Sequence, residues 1–336
     1  MEVNCEGCAG CCLDWRGLLA DEADARDAVD GDGHRRRDPF EGEDSVEPSR
    51  EPLDDDPTFV PLTRDEVRAF LEAGMADALT PRFWHARDER EEPRSSDSSS
   101  GEAPREGVEI DGHTIAAIAG RPVFFIGLRK PPKPVAPFDR DEPAWLPTCV
   151  FLDPTTLQCR IHEDDLFPAE CGAYPEHTLA LGQETECERV ESAVGGDRLL
   201  AADHDDPDGL LLGSQAIGAK LFCHPRPAAL EGIVERAAAD DLTRRDRAEP
   251  IAVAAASSPG TLAISEYHYE QATAQLLEGE DTDVEATTTE SWVGPASRDW
   301  YERCREAGEA VPSPAVADAI EGERGAPETP GWDARE

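Results

Sequence analysis

The residues best equipped for chemistry stand at the start of the chain: Cys5-Glu6-Gly7-Cys8-Ala9-Gly10-Cys11-Cys12 sets four thiols into eight positions. Thiolates are soft ligands for zinc and for iron–sulfur clusters, and a Cys-x-x-Cys turn aims two sulfurs at one point. Here that turn occurs twice in succession. Gly7 and Gly10 suit it, because glycine tolerates positive φ and its missing Cβ lets the backbone curl round an ion. Cys12 is a different case, since adjacent side chains diverge and rarely grip the same ion. It points to a second centre or a redox role.

Further ligands come from mid-chain, as Cys149-Val150-Phe151-Leu152-Asp153, then Cys159-Arg160-Ile161-His162, then Phe167-Pro168-Ala169-Glu170-Cys171-Gly172-Ala173-Tyr174-Pro175. The candidate metal set is Cys5, Cys8, Cys11, Cys12, Cys149, Cys159, Cys171 and Cys187, with Cys223 and His162 as the other residues available to complete eight. Two tetrahedral zinc ions would use the whole set, whereas one [4Fe–4S] cluster would take Cys5, Cys8 and Cys11 plus a remote fourth. The Cys11-Cys12 pair favours iron–sulfur, because it leaves a thiol beside the cluster for which a static zinc clamp has no evident use. His162, His177 and His224 are weak catalytic candidates, and Cys304 reads as a plain helix residue.

Asp plus Glu number 73 against 32 Lys plus Arg, for a net charge of −41, and only three of the basic residues are lysine. An acid-loaded, lysine-poor surface is that of a cytoplasm rich in salt, so the charge reports habitat before function. Nucleic acid is disfavoured as a partner by this field. No basic N-terminal region leads into an apolar run, and no eighteen consecutive residues are apolar, so the expectation is a cytoplasmic chain with no membrane span. In a reducing compartment ten cysteines read as metal or redox ligands before disulfides.

The two cysteine groups together resemble the YkgJ-type cysteine cluster family, described as zinc- or iron-chelating proteins and marked by an N-terminal Cys-x-x-Cys-x-x-Cys-Cys. That motif matches Cys5, Cys8, Cys11 and Cys12. Its later signature matches Cys149 before Phe-Leu-Asp, Cys159 to His162, and Pro168 to Pro175. Two positions depart from it, Phe167 and Gly172 standing where arginine is usual, and Cys187 matches a further family cysteine only loosely. The resemblance implies a metal-chelating protein, and flagellin lysine N-methylases share the cysteine motif. It leaves three readings: an iron–sulfur redox protein with an unknown redox or protein partner, a zinc-clamped binding module, and a cluster-dependent transferase.

The ligands must be positioned by a scaffold that the pattern divides as follows. Residues 1–20 hold the first run and 21–57 read as an acidic flexible insertion. Within 58–92, Thr63 and Glu66 form a capping box, with Leu62 stapling onto Val67, and predict a helix to about Leu79. Residues 93–107 read as a Ser-rich linker. In 108–136, Asp111-Gly112 predicts a type I′ hairpin within a three-stranded meander, followed by the basic Pro-rich segment Arg129 to Pro134. The second cysteine cluster occupies 137–227, helices are expected near 228–238, 262–277 and 296–307 within 228–310, and 311–336 reads as a disordered tail. The fold expected is α+β: a small irregular metal-stabilised domain with an antiparallel meander, packed helices and disordered acidic insertions. Lys130, Lys133 and Lys220, the three lysines, are expected to form a basic rim beside the metal site.

Overall fold

The computed structural model describes residues 2–19, 51–86, 107–162, 164–203, 213–277, 291–308 and 310–332. Strand β1 (Glu2–Val3) leads into the cysteine run, whose end is wound as a 3-10 turn over Gly10–Cys12. Helix α1 (Arg64–Glu72) precedes β2 (Leu79–Phe83), the hairpin of β3 (Gly107–Ile110) and β4 (His113–Ile118), and the long strand β5 (Arg121–Leu128). A second hairpin, β6 (Pro132–Val135) and β7 (Ala144–Pro147), carries the chain to Cys149. Short helices α2 (Ala169–Ala173), α3 (Glu176–Ala180) and α4 (Glu186–Val194) follow, then β8 (Leu199–Ala201), α5 (Ile217–Lys220) and β9 (Phe222–Cys223). The C-terminal part is helical: α6 (Ile233–Ala238), α7 (Arg244–Ala256), α8 (Glu266–Leu277), α9 (Val293–Ala307) and α10 (Ala317–Ile320). The architecture is α+β with antiparallel sheets.

The main sheet runs β2-β5-β4-β3, with β9 also pairing β5, and the small pairs β1–β8 and β6–β7 stand apart from it. The β3–β4 hairpin turns at Asp111 and Gly112, at φ 53° and 81°, the doubly positive pattern of a type I′ turn. Thr63 and Glu66 make the reciprocal capping box of α1, and Leu62 and Val67 beside it are fully buried. The helix ends at Glu72 rather than near Leu79. Gly74 takes positive φ there, and Leu79 already belongs to β2.

The sequence pattern gave no sign of α7, which is the most enclosed helix of the fold. From Ile251 to Ala256 every residue is buried, so there is no polar face and no amphipathic period to detect. Pro250 inside it argues against a helix by composition. Its alanines instead allow close packing against α1, α8 and β2. No described helix is long and apolar enough to cross a membrane.

Three segments are more ordered than their composition suggests. The cysteine run lies in a polar terminus, yet Cys8, Leu13 and Trp15 join the main core, because β7 and α4 bring apolar surface to it. At the end of the 21–57 insertion, residues 51–57 pack on β2: Leu53 N–H donates to Phe83 O, and Arg82 pairs Asp54 at 2.7 Å. The rest of that insertion, and residues 93–106 of the Ser-rich linker, lie outside the described residues. The 311–336 stretch is the third, since Ala317 and Ile320 are buried and Thr329, Gly331 and Trp332 hydrogen-bond to the loop around Asp153 to Gln158. A segment with few large apolar residues is ordered here by what it docks onto.

Candidate metal centre

The first cysteine run is held from three sides. Asn4 N–H donates to Arg198 O and Arg198 Nη1 to Glu6 O, tying the run to β8. Phe138 N–H donates to Gly7 O, and Cys149 N–H to Cys12 O at 2.7 Å, which joins the two cysteine groups through their backbones. A bridge from Leu13 to Thr148 continues that pairing. Within the run, Gly7 takes φ 64° as its turn requires, whereas Gly10 is needed for space: a Cβ there would stand 2.7 Å from Cγ2 of Val190 on α4. The second group closes on itself through the bridge between Leu152 and Cys159.

All ten cysteines are free thiols. Cys5 and Cys11 are exposed, Cys8 and Cys149 buried, and the others between. The sulfurs of Cys11 and Cys12 lie 3.8 Å apart, and their hydrogen bond pulls the Cys11 thiol pKa down while pushing that of Cys12 well up. Burial raises Cys8, Cys149, Cys159, Cys171 and Cys187, with Cys159 pushed up to about 12. In each of these the charge of Cys11 adds to the rise. Cys187 responds to Cys5, Cys8 and Cys11, and Cys12, Cys159 and Cys171 respond to both Cys11 and Cys149.

Among the described residues no three His, Cys, Asp or Glu side chains converge closely enough to hold an ion. The thiols are gathered but not closed on a point. The surroundings nonetheless suit a negative thiolate centre: Arg198 lowers the Cys8 thiol, and its buried Nε has no hydrogen-bond partner. Lys130 lowers Cys11, and Lys133 and Lys130 both lower Cys149.

Compared with known protein families, residues 1–333 match the one described as a family of unknown function, DUF7531. The chain belongs to DUF7531. No curated protein and no solved structure matches it.

In this DUF7531 chain the three lysines do not form an open rim. Lys133 is fully buried under the Cys149 to Cys159 loop, where its ammonium donates to Val150 O and Leu152 O at 2.8 Å and meets Glu321 Oε1 at 2.6 Å. Lys130 reaches Asp56 at 2.5 Å, and Lys220 pairs Glu170 beside Cys171. Each ammonium is consumed by a carboxylate, so none is presented to an anionic partner. Lys133 and Lys130 still lower the Cys149 thiol.

Cys223, on β9, and Cys304, on α9, stand apart: their thiols are raised by burial with no other cysteine contributing. His162 packs against Phe167 at 4.9 Å with the rings tilted by 48°, and His224 contacts Glu249 at 3.0 Å. Phe167 and Gly172, the two departures from the resembled motif, face each other, a Cβ on Gly172 falling 3.6 Å from Phe167. The side chains that composition did not single out are Glu186, Arg198 and Glu321. Glu186 accepts from Trp15 Nε1 at 2.5 Å and from Arg189 at 3.0 Å, pinning α4 against the first run.

Proposed function

We propose that this protein is a metal-binding cysteine-cluster protein, as the resemblance to the YkgJ-type family implies, with an iron–sulfur centre and a redox role as the first reading. The observation that carries it is the gathering of eight thiols from separate stretches of chain, close enough to act on one another's charge, over buried cationic groups that offset thiolate charge. One set, Cys5, Cys8, Cys11 and Cys187, would hold one centre; the other, Cys12, Cys149, Cys159 and Cys171, would hold a second. Thiolate binding requires deprotonation, and a cation supplies the field that burial here opposes. The sulfurs must also move together from the positions seen, which couples binding to closure of the loops. An iron–sulfur cluster would supply one-electron transfer, and the exposure of Cys5 leaves that edge open to a partner. The second reading, two structural zinc ions, is supported by the count of eight thiols, twice the donor number of closed tetrahedral zinc.

The sorting is tested by metal content. Cys187→Ser is expected to remove the same metal as Cys5→Ser and to leave the other set loaded, while Cys159→Ser matches Cys171→Ser. Loss of all metal in each of the four variants would contradict two separate sets, and unchanged metal in all four would remove the cysteines from the site altogether.

A further inference from the structure

One buried cation beside the first cysteine set is only partly used. Arg198 stands where the two pieces of chain that supply Cys5, Cys8, Cys11 and Cys187 meet. Its carbonyl accepts from Asn4 N–H at 2.7 Å, one residue before Cys5. Its own N–H and that of Leu199 donate to Glu191, one turn beyond Cys187 on α4. The guanidinium then reaches the Cys5–Cys8 turn: Nη1 donates to Glu6 O at 3.0 Å, and Nη2 lies 4.0 Å from Asp139 Oδ2.

Nε is left over. The residue is only 8% exposed, and its Nε–H is buried without a hydrogen-bond acceptor. Asp139 does not take it, since that side chain is 88% exposed and faces Nη2 in a loose pairing. An unsatisfied buried donor costs stability, so its retention calls for a use. The group nearby that lacks donors is the Cys8 sulfur. Gly10 N–H already serves it, and a Cβ on Gly10 would lie 3.6 Å from that sulfur. Arg198 is the cation whose charge opposes the rise that burial, Cys11 and Glu186 impose on the Cys8 thiol.

We propose that Arg198 is the positioning residue of the first metal centre, its free Nε–H donating to the Cys8 thiolate once Cys5, Cys8, Cys11 and Cys187 close on an ion. The proposal rests on the metal-binding reading above. A divalent ion held by four thiolates keeps net negative charge, and a buried guanidinium offsets it where water cannot. Donors that orient metal ligands in this way are worth roughly 10–100-fold in metal affinity.

Cobalt(II) titration of the full, reduced chain without oxygen tests this, with thiolate-to-cobalt absorption as the signal and Cys187→Ser identifying the first set. Arg198→Met is expected to weaken cobalt binding at that set by about 10–100-fold and to leave the second set unchanged. Arg198→Lys keeps the charge without the Nε–H and should fall between, while the exposed Arg140→Met should match the parent. Circular dichroism establishes that each variant is folded, and Arg198→Lys carries the test if the methionine variant is not. The denaturation midpoints of parent and variant should differ more with cobalt than with chelator. An equal difference in both would make Arg198 a structural residue and overturn the proposal, as would unchanged cobalt affinity at the first set in both Arg198 variants. A parent chain that binds no cobalt would overturn the metal-binding reading and this proposal together.

Discussion

Glu321→Ala is expected to destabilise the fold by about 3–5 kcal/mol, the range for breaking a buried ion pair on one side only. The Glu321 side chain has no solvent exposure and satisfies three groups at once. Oε1 takes Lys133 at 2.6 Å and the Trp300 indole N–H at 2.9 Å, and Oε2 takes Arg160 Nε at 2.9 Å. Removing it leaves the Lys133 ammonium buried without a counter-charge, although Arg160 retains Asp153 at 3.2 Å. Glu321→Gln keeps an acceptor of the same shape and should fall between the two. Chemical denaturation measures all three, and an alanine variant within about 1 kcal/mol of the parent would show that the pair contributes as little as a surface one. The same substitution should loosen the Cys149 to Cys159 loop, because Lys133 holds that loop by two carbonyls and Arg160 is part of it.

The second large effect concerns metal removal. If the cysteine sets are filled, stripping the metal takes away binding free energy that is also folding free energy, about 10–16 kcal/mol for a structural zinc site. The loss should be local first. Residues 2–19 and 149–175 carry seven of the eight candidate ligands and share the main core through Leu13, Trp15 and Phe151, whereas β5, α1, α7 and α8 carry none. Hydrogen exchange after chelation should therefore accelerate more than a hundredfold in those two segments and little in β5 and α7, as expected when a sub-global unit loses several kcal/mol. Identical exchange with and without chelator would mean the thiols do not depend on an ion.

Much of the scaffold near the site was legible because its signals are local. The capping box of Thr63 and Glu66, the Asp111-Gly112 turn and the alternating apolar strands after it depend on neighbours a few residues away. The two cysteine groups are joined across more than a hundred positions by Cys149 N–H and Cys12 O, a pairing that no spacing encodes. What escaped is long-range or inverted in polarity. α7 has no polar face, so its period is invisible, and Pro250 disguises it further. Glu321 lies in a stretch of Glu, Gly and Pro that composition assigns to solvent, and only the arrival of Lys133 and Arg160 explains its burial. Lys133 itself looked like a surface charge in a Pro-rich connector. β6 carries it inward, and the carbonyls of Val150 and Leu152 make the burial tolerable.

The central question is whether the eight thiols hold metal. Protein purified without oxygen and analysed for metal, acid-labile sulfide and visible absorption decides it most directly. The prediction is stoichiometric metal, either iron with sulfide and a broad absorption toward the blue, or about two zinc ions per chain without colour. Protein that is folded yet carries no stoichiometric metal under these conditions would contradict both readings.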